Sequence, residues 1–370
     1  MKKDMISAKQ LSYMAMFSIW FTLMGTAPAV AARSAGSAGW LAPVLGALPV
    51  LLIVFLLQIM YRRHDERALD QIFTDIWGQI PGRILLALYA LWCTLQASFT
   101  LRLYVENIQT GMFARSGGSF FALILLSVCY VALRGRLASL ARASAVLFGL
   151  VALVLLTMLL LALPDIRTEN LLPVNPLKAP SIALGATAAL GPFGALIYVH
   201  FLSGQISDRR HLSRHSVLPL AAAALGGLVL FIFTIGILGA PLTAHMPNPL
   251  LIAVKNISGI QGNARLEGLI TALWTMPAFV FITLMSMVAL TLIAAVFRMK
   301  SAVPMAGPLM LLVYVGALSM GATAADVMRV NEGYVQYGHY VFQYGVPLLT
   351  LGLGFLRRKP RHNRRSTTDD

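Results

Sequence analysis

The chain has 370 residues, of which 58% are hydrophobic and only 12% are charged, and its mean hydropathy is +0.76. Soluble domains carry about 25% charged residues, so the composition excludes a soluble globular domain and indicates an all-α, polytopic membrane protein. The net charge of +15 is compatible with nucleic-acid binding, but basic cytoplasmic loops explain the same excess in a membrane protein. We therefore expect no nucleic-acid partner.

Apolar runs of about 20 residues, the length at which a helix crosses a bilayer, predict ten membrane spans. These runs cover 11–32, 37–60, 84–109, 119–133, 143–163, 179–206, 216–240, 268–297, 301–324 and 335–356. Between the second and third runs, Leu69, Ile72, Phe73 and Ile76 recur at helical spacing in a charged segment. This pattern predicts an amphipathic helix on the membrane surface.

The distribution of lysine and arginine predicts the orientation of the spans. With the N-terminus inside, 21 basic residues fall in cytoplasmic segments and 7 outside, while Arg102 lies within the third span. Basic residues concentrate on the cytoplasmic side, so both termini are expected inside. A second interpretation remains open: the start of the chain resembles a signal peptide with a small-residue cleavage site, "APAVAA". Its cleavage would leave nine spans in the same orientation.

Two of the predicted spans carry helix breakers near their centres. The first contains "LMGTAPAV" (23–30) and the sixth contains "LGPFGAL" (190–196). Proline cannot donate the backbone hydrogen bond that a helix requires, and an unpaired backbone group in hydrocarbon costs several kcal/mol. A break at membrane depth therefore indicates either a packing kink or a binding site.

The positions of the two breaks favour an inverted repeat. They lead two halves of five spans each, about 8–163 and 179–356, within a single transmembrane domain, 1–356, that precedes a basic tail, 357–370. The first span would run from inside to outside and the sixth in the opposite direction, an arrangement that builds a transporter binding site from two unwound helices. Free amides there attract a carboxylate and free carbonyls an ammonium group, which suits an amino acid. Ordinary kinks remain the alternative.

Polar residues inside the spans give further candidates. Arg102 and Glu106 are four residues apart near the outer end of the third span, where they form either an outer gate or a structural ion pair. His200 could titrate near neutral pH and couple protons, or could simply be hydrogen-bonded. In the eighth span, Trp274 and Thr283, together with Phe279 and Ser286, either reach a central cavity or pack against neighbouring helices.

Several stretches resemble the B subunit of endospore germinant receptors, a branch of the amino acid–polyamine–organocation superfamily. The similarity covers nearly the whole chain. The segments that carry it are "ISAKQLSYMAMFSI", "LRLYVENIQ", "LPDIRTENLLPV" and "GILGAPLTAHMPNPLLIAVKNISGIQGNARLEGLITALW". The resemblance implies a ten-span fold with a five-plus-five inverted repeat, and a sensor of nutrient germinants that acts beside an A subunit and a lipoprotein C subunit.

The resemblance also implies a pocket at the two broken spans. Carried onto this chain, the pocket contains Gly25, Thr26, Gly191, Phe193 and Gly194, with Trp274 or Thr283 opposite. Gly194 stands where the family often has an acidic residue.

The function expected from this pattern is a germinant-receptor subunit of the spore inner membrane that binds a small amino-acid-like ligand. The alternatives are an amino acid permease that works by alternating access and a purely structural membrane scaffold. Neither a nucleophile–base constellation nor a metal-ligand spacing occurs in the sequence, so we expect no enzyme activity, no metal and no cofactor. The tail "RRKPRHNRRSTTDD" is expected to be disordered and to bind either anionic lipid or a partner.

Overall fold

The computed structural model describes residues 5–64, 67–111, 117–175, 177, 179–208, 212–258, 264–321 and 323–356. Over these residues the chain is all-α, as the composition predicts, and its one β-type contact is an isolated bridge between Ile6 and Ile206. The basic tail 357–370, predicted to be disordered, lies outside the described residues. Its lipid or partner contacts stay a prediction.

Seventeen α-helices make up the described part of the chain. They are α1 (Ala8–Leu23), α2 (Ala27–Ala35), α3 (Ala42–Arg63), α4 (Leu69–Trp77), α5 (Gln79–Gly111), α6 (Gly118–Arg134), α7 (Leu137–Ala162), α8 (Ala179–Phe193), α9 (Ala195–Tyr198), α10 (Leu212–Leu238), α11 (Ala240–His245), α12 (Pro249–Lys255), α13 (Ala264–Phe297), α14 (Ala306–Ser319), α15 (Ala324–Val330), α16 (Gln336–His339) and α17 (Val346–Leu356). A 3₁₀ segment, Val199–Gln205, follows α9. Two π-helical segments, Asn331–Val335 and Tyr340–Gly345, join α15, α16 and α17 into one helical run, called here the last helix.

Six helical runs of the described chain are long and apolar enough to cross a membrane. These are Ala27–Arg63, Gln79–Gln109, Leu137–Asp165, Ala179–Gln205, Arg214–Leu238 and Trp274–Phe297, with two shorter apolar helices at Gly118–Arg134 and Val303–Ser319. The protein is therefore a multi-pass membrane protein. The ten-span count, the inverted repeat and the inside location of both termini stay predictions.

The last helix begins eleven residues before the predicted tenth span. Thr323 and Asp326 form a reciprocal capping box at its N-terminus, and Gly321 supplies the preceding turn with a φ of +107°. The hydropathy pattern missed this start because Asp326, Arg329 and Glu332 interrupt the apolar run. The helix thus starts before the predicted span, and its additional turns bring Asn331 into a helix.

The amphipathic helix predicted between the second and third spans is α4, but its apolar face packs on protein rather than on lipid. Leu69, Ile72, Phe73 and Ile76 are all at most 2% exposed. The ring of Phe73 contacts the rings of Tyr89 and Phe201 at centroid distances of 5.8 and 5.4 Å. The spacing identified the helix and its face; the tertiary structure decided what covers that face.

The first predicted span is interrupted between α1 and α2, at Met24–Thr26. Pro28 occupies the first turn of α2, where its missing N–H costs no helical bond but its ring prevents the preceding turn from continuing α1. The Gly25 amide turns back to the Thr22 carbonyl at 3.3 Å. The sequence therefore ends one helix and starts the next in the middle of the span.

The sixth predicted span is interrupted at Gly194, between α8 and α9. Pro192 removes one N–H from the last turn of α8, which leaves the Ala188 carbonyl without its helical partner. After α9 the chain tightens into the 3₁₀ segment and reaches the start of the first span. There the Ile6 amide donates to the Gln205 carbonyl at 3.1 Å, and the Asp208 carboxylate accepts from the Ala8 amide at 2.7 Å. These bonds join the N-terminal end of the first span to the C-terminal end of the sixth.

Candidate functional site

A cavity lies between the two interrupted spans, α5 and the last helix. It is partly open and has about 710 Å³ of empty space including its open side. Its lining consists of Phe21, Thr22, Gly25, Thr26, Ala27, Val30, Gln96, Phe99, Thr100, Leu103, Asn107, Thr187, Ala188, Gly191, Pro192, Asn331, Gln336 and His339. Half of these residues carry a neutral polar side chain.

None of the described lining residues is Asp, Glu, Lys or Arg. Burial of a net charge in a membrane interior is costly unless an opposite charge pairs with it. The cavity therefore favours a solute without net charge, either uncharged or zwitterionic. The cavity can hydrogen-bond to polar groups of a solute through its Thr, Asn, Gln and His side chains and through free main-chain groups.

Main-chain donors reach the cavity at the first break. Thr26 and Ala27 precede and begin α2, so their amides have no carbonyl partner within a helix, and neither has a hydrogen bond elsewhere in the described chain. The N-terminus of α2 also carries the positive end of a helix dipole. The Thr26 hydroxyl accepts a hydrogen bond from Asn331 Nδ2 at 2.7 Å, which links this break to the first π-helical segment.

The sixth break is closed by side chains of the last helix. Gln343 Nε2 donates to the Gly191 carbonyl at 2.9 Å, and the Tyr344 hydroxyl donates to the Leu190 carbonyl at 3.0 Å. Both carbonyls belong to the last turn of α8, and the Gly191 carbonyl also accepts from the Gly194 amide at 3.0 Å. The C-terminal end of α8 is therefore capped by side chains from a distant part of the sequence.

The two glycines of the "GPFG" motif make this close approach possible. A Cβ at Gly191 would lie 2.6 Å from His339 Cδ2, and a Cβ at Gly194 would lie 1.6 Å from Gln343 Nε2. His339 and Gln343 are four residues apart, about one turn of the last helix, and so meet two glycines that are three residues apart at the end of α8. The glycine spacing is thus explained by helix packing around the cavity.

The described positions of the predicted ligand contacts divide into two groups. Gly25, Thr26 and Gly191 line the cavity. Phe193 is fully buried, and Gly194 faces Gln343. The ligand contacts themselves stay a prediction.

The residues predicted from the eighth span for the opposite wall do not line this cavity, and their contact with a ligand stays a prediction. Trp274 is 2% exposed and Thr283 is fully buried within α13, and neither lines the cavity. That wall comes instead from α5 and the last helix. Gln96, Thr100 and Asn107 on one face of α5 were overlooked, although their spacing of four and seven residues is a helical-face signal.

The last helix was also overlooked as a source of site residues. Gln336, His339 and Gln343 follow a helical spacing of three and four residues inside an apolar segment, and intramembrane polar residues of this kind indicate a functional site. The π-helical segments that flank α16 could not be read from the sequence. Such segments are frequent at functional sites.

The predicted pair Arg102–Glu106 forms an i, i+4 ion pair at 3.0 Å, away from the cavity. The Arg102 side chain is 9% exposed, and its Nε donates to the Gly321 carbonyl at 3.1 Å. This bond holds the turn in front of the last helix against α5. The geometry favours the structural interpretation over the gate.

His200 is buried in the 3₁₀ segment, outside the cavity lining. Its Nδ1 lies 2.6 Å from the Leu196 carbonyl, and its ring stacks on Tyr61 at 6.2 Å. The Tyr61 hydroxyl donates to the His200 carbonyl at 3.2 Å. These contacts favour a packed, hydrogen-bonded histidine.

Comparison with known proteins supports the sequence-based resemblance. The family model described as spore germination protein matches residues 5–324. Spore germination protein KB of Bacillus subtilis (strain 168) is 23% identical over 369 residues, 98% of this chain and 97% of its own length. Putative spore germination protein YfkT of the same strain is 24% identical over 250 residues, 67% of this chain and 68% of its own length.

The fold has a relative among solved transporters. Mhp1, a nucleobase-cation-symport-1 family transporter solved in a closed conformation with bromovinylhydantoin bound, superposes with a TM-score of 0.61 at 13% identity, covering 94% of this chain and 78% of its own. This likeness shows that the chain shares its fold with that transporter. Because the family model spans more than half of the sequence, the chain belongs to the spore germination protein family.

Proposed function

We propose that this protein is the membrane subunit of a nutrient germinant receptor in the spore inner membrane, and that it binds a small amino-acid-like ligand between its two broken helices. The observation that carries the proposal is the neutral polar cavity at the breaks of a transporter fold. Family and fold are those of receptors and transporters rather than of enzymes.

The chemistry of the cavity suits a zwitterion. The free amides of Thr26 and Ala27, at the N-terminus of α2, would accept a carboxylate. The carbonyl of Ala188, freed by Pro192, and the neutral side chains around it would accept the hydrogens of an ammonium group. Both ends of the ligand are thus held without a charged side chain, in agreement with the lining.

Signalling would follow from differential binding. A ligand shifts a conformational equilibrium only by its preference for one state. The last helix contacts both breaks, through Asn331 at the first and through Gln343 and Tyr344 at the sixth. A ligand between the breaks would therefore bias the position of the last helix, and an A subunit and a lipoprotein C subunit would transmit that change.

The test is germination of spores that carry Thr26→Leu or Gly191→Leu. We expect both variants to lose nutrient-triggered germination while the amount of protein in the spore membrane is unchanged, because each fills the cavity. Thr157→Leu and Gly149→Leu are matched controls, since both residues are exposed on α7. Normal germination in both cavity variants would remove the pocket from the mechanism.

The second candidate function is a permease that moves amino acids by alternating access, and the transporter fold is the observation that favours it. Uptake of radiolabelled amino acids into vesicles that contain this chain alone distinguishes the two functions. Uptake that Thr26→Leu abolishes would support the permease. Absence of uptake, with germination dependent on the partner subunits, would support the receptor.

A further inference from the structure

The imidazole of His339 is held in a defined orientation at the wall of the cavity. It is half-buried, packs edge-on against Trp92 at a ring-centroid distance of 5.5 Å, and lies over the backbone of Gly191. Three elements therefore fix the ring: α5, α8 and the last helix itself.

The neighbouring amide of Gln343 fixes which ring nitrogen carries the proton. Gln343 Nε2 lies 2.9 Å from the Gly191 carbonyl and 2.6 Å from His339 Nδ1. A carbonyl accepts only from a donor, so the NH₂ group must face Gly191, and the same NH₂ group then donates its second hydrogen to Nδ1. Nδ1 is thus an acceptor, and the neutral ring carries its hydrogen on Nε2.

A glutamine at position 343 carries a cost in stability. Gln343 Oε1 is buried and has no hydrogen-bond partner among the described residues, and an unsatisfied buried acceptor destabilises a folded protein. An apolar residue would avoid that cost. The amide is therefore explained by what its NH₂ group does, which is to cap α8 and to orient His339.

His339 Nε2 makes no hydrogen bond to any described residue, although His339 lines the cavity. We infer that His339 is a specificity-determining residue whose Nε2–H donates a hydrogen bond to an acceptor on the ligand, so that the site selects a net-neutral solute with a polar acceptor group beyond its carboxylate. This inference rests on the proposed function and deepens it, because it adds the class of ligand.

The chemistry separates pairs of ligands that have nearly the same shape. Threonine and valine, asparagine and leucine, and glutamine and methionine differ mainly in whether the side chain offers an acceptor. A site built to donate a hydrogen bond rejects the partner that lacks the acceptor, because its own donor then remains unpaired. A site that recognises only size would treat both members alike.

The experiment measures thermal shifts of the purified full-length protein with these three amino acid pairs. In the unmodified protein we expect the acceptor-bearing member of at least one pair to bind about tenfold more tightly, the value of one hydrogen bond. In His339→Leu the two members should bind within about twofold of each other. His339→Gln, whose amide nitrogen can occupy nearly the same place as Nε2, should restore the preference.

Tyr344→Phe is the matched control. It removes a different hydrogen bond between the last helix and α8 but leaves His339 and Gln343 in place, so the preference should persist. The melting temperature of each unliganded variant shows whether it folds. If His339→Leu does not fold, the comparison of the ligand pairs is made with His339→Gln.

The outcomes separate the two proposals. Binding of an amino acid that Thr26→Leu abolishes, with an unchanged preference in His339→Leu, would overturn the role of His339 and leave the proposed function intact. Absence of any shift in the unmodified protein with all six amino acids would overturn both.

Discussion

The two helix breaks of this protein look alike in sequence but are finished in different ways. At the first, the amides of Thr26 and Ala27 have no described protein partner, and one side-chain bond from Asn331 reaches the break. At the sixth, Gln343 and Tyr344 donate hydrogen bonds to two carbonyls of α8. Side chains of the last helix also lie against Gly191 and Gly194, in the space that a Cβ would need. Two amides of the first break are thus unbonded in the described chain, whereas two carbonyls of the sixth break are bonded to the last helix.

The difference shows that two similar breaker motifs in one chain need not have the same structural role. A break exposes polar main-chain groups that something must satisfy. Here the amides at the N-terminal end of α2 have no partner in the described chain, and side chains of the last helix bond two carbonyls at the C-terminal end of α8. Under the proposed function, the first break would hold the carboxylate of the ligand, and the sixth break would supply the Ala188 carbonyl and the contact with the last helix.

The largest expected effect comes from adding one methyl group at the sixth break. Gly194→Ala would place a Cβ 1.6 Å from Gln343 Nε2, so the Gln343 amide must move and would lose its bond to the Gly191 carbonyl. We expect a destabilisation of about 1–3 kcal/mol, the usual cost of overpacking, measured as a lower melting temperature in detergent.

Gly25→Ala is the counterpart at the first break. A Cβ there meets only the Thr22 carbonyl at 3.5 Å, an ordinary contact. We expect the melting temperature of this variant to stay within about one degree of that of the unmodified protein. A tolerated substitution typically changes the free energy of unfolding by no more than about 0.5 kcal/mol. Equal losses in both variants would contradict the difference between the breaks.

A smaller effect is expected from the cap on α8. Tyr344→Phe removes the donor to the Leu190 carbonyl and should cost about 1 kcal/mol. Thr26→Val, which removes the acceptor of the Asn331 amide, should instead lower ligand affinity more than stability. Thermal shifts with and without amino acids measure both quantities in one experiment, and the reverse pattern would exchange the roles assigned to the two breaks.

The smallest expected effect concerns an ion pair between the end of α2 and the last helix. Arg33, at the end of α2, pairs with Glu332 of the last helix and donates from Nε to the Ala244 carbonyl at 2.7 Å. Both side chains are partly exposed, so the pair should contribute less than about 1 kcal/mol. Arg33→Glu should lower the melting temperature slightly, and the double variant with Glu332→Arg should recover part of the loss. No recovery would show that the charges do not interact in solution.

The hydropathy pattern determined the class of this protein and most of its helices. Long apolar runs leave few alternatives to membrane-spanning helices, because a bilayer requires every backbone group to be bonded internally. The breakers at 23–30 and 190–196 were equally readable, since proline and glycine act on the local backbone. The resemblance to spore germination proteins came from short local motifs, and the family match confirmed it.

Only the tertiary structure decided which residues meet across the breaks. Trp274 and Thr283 were candidates for the cavity wall because they lie in an apolar span, but both are buried in α13 outside the cavity lining. His339 and Gln343 face two glycines about 150 positions earlier in the chain, and π-helical turns set that register. Local sequence fixes where a helix starts, bends or ends; the pairing of distant side chains depends on packing, which no short segment encodes.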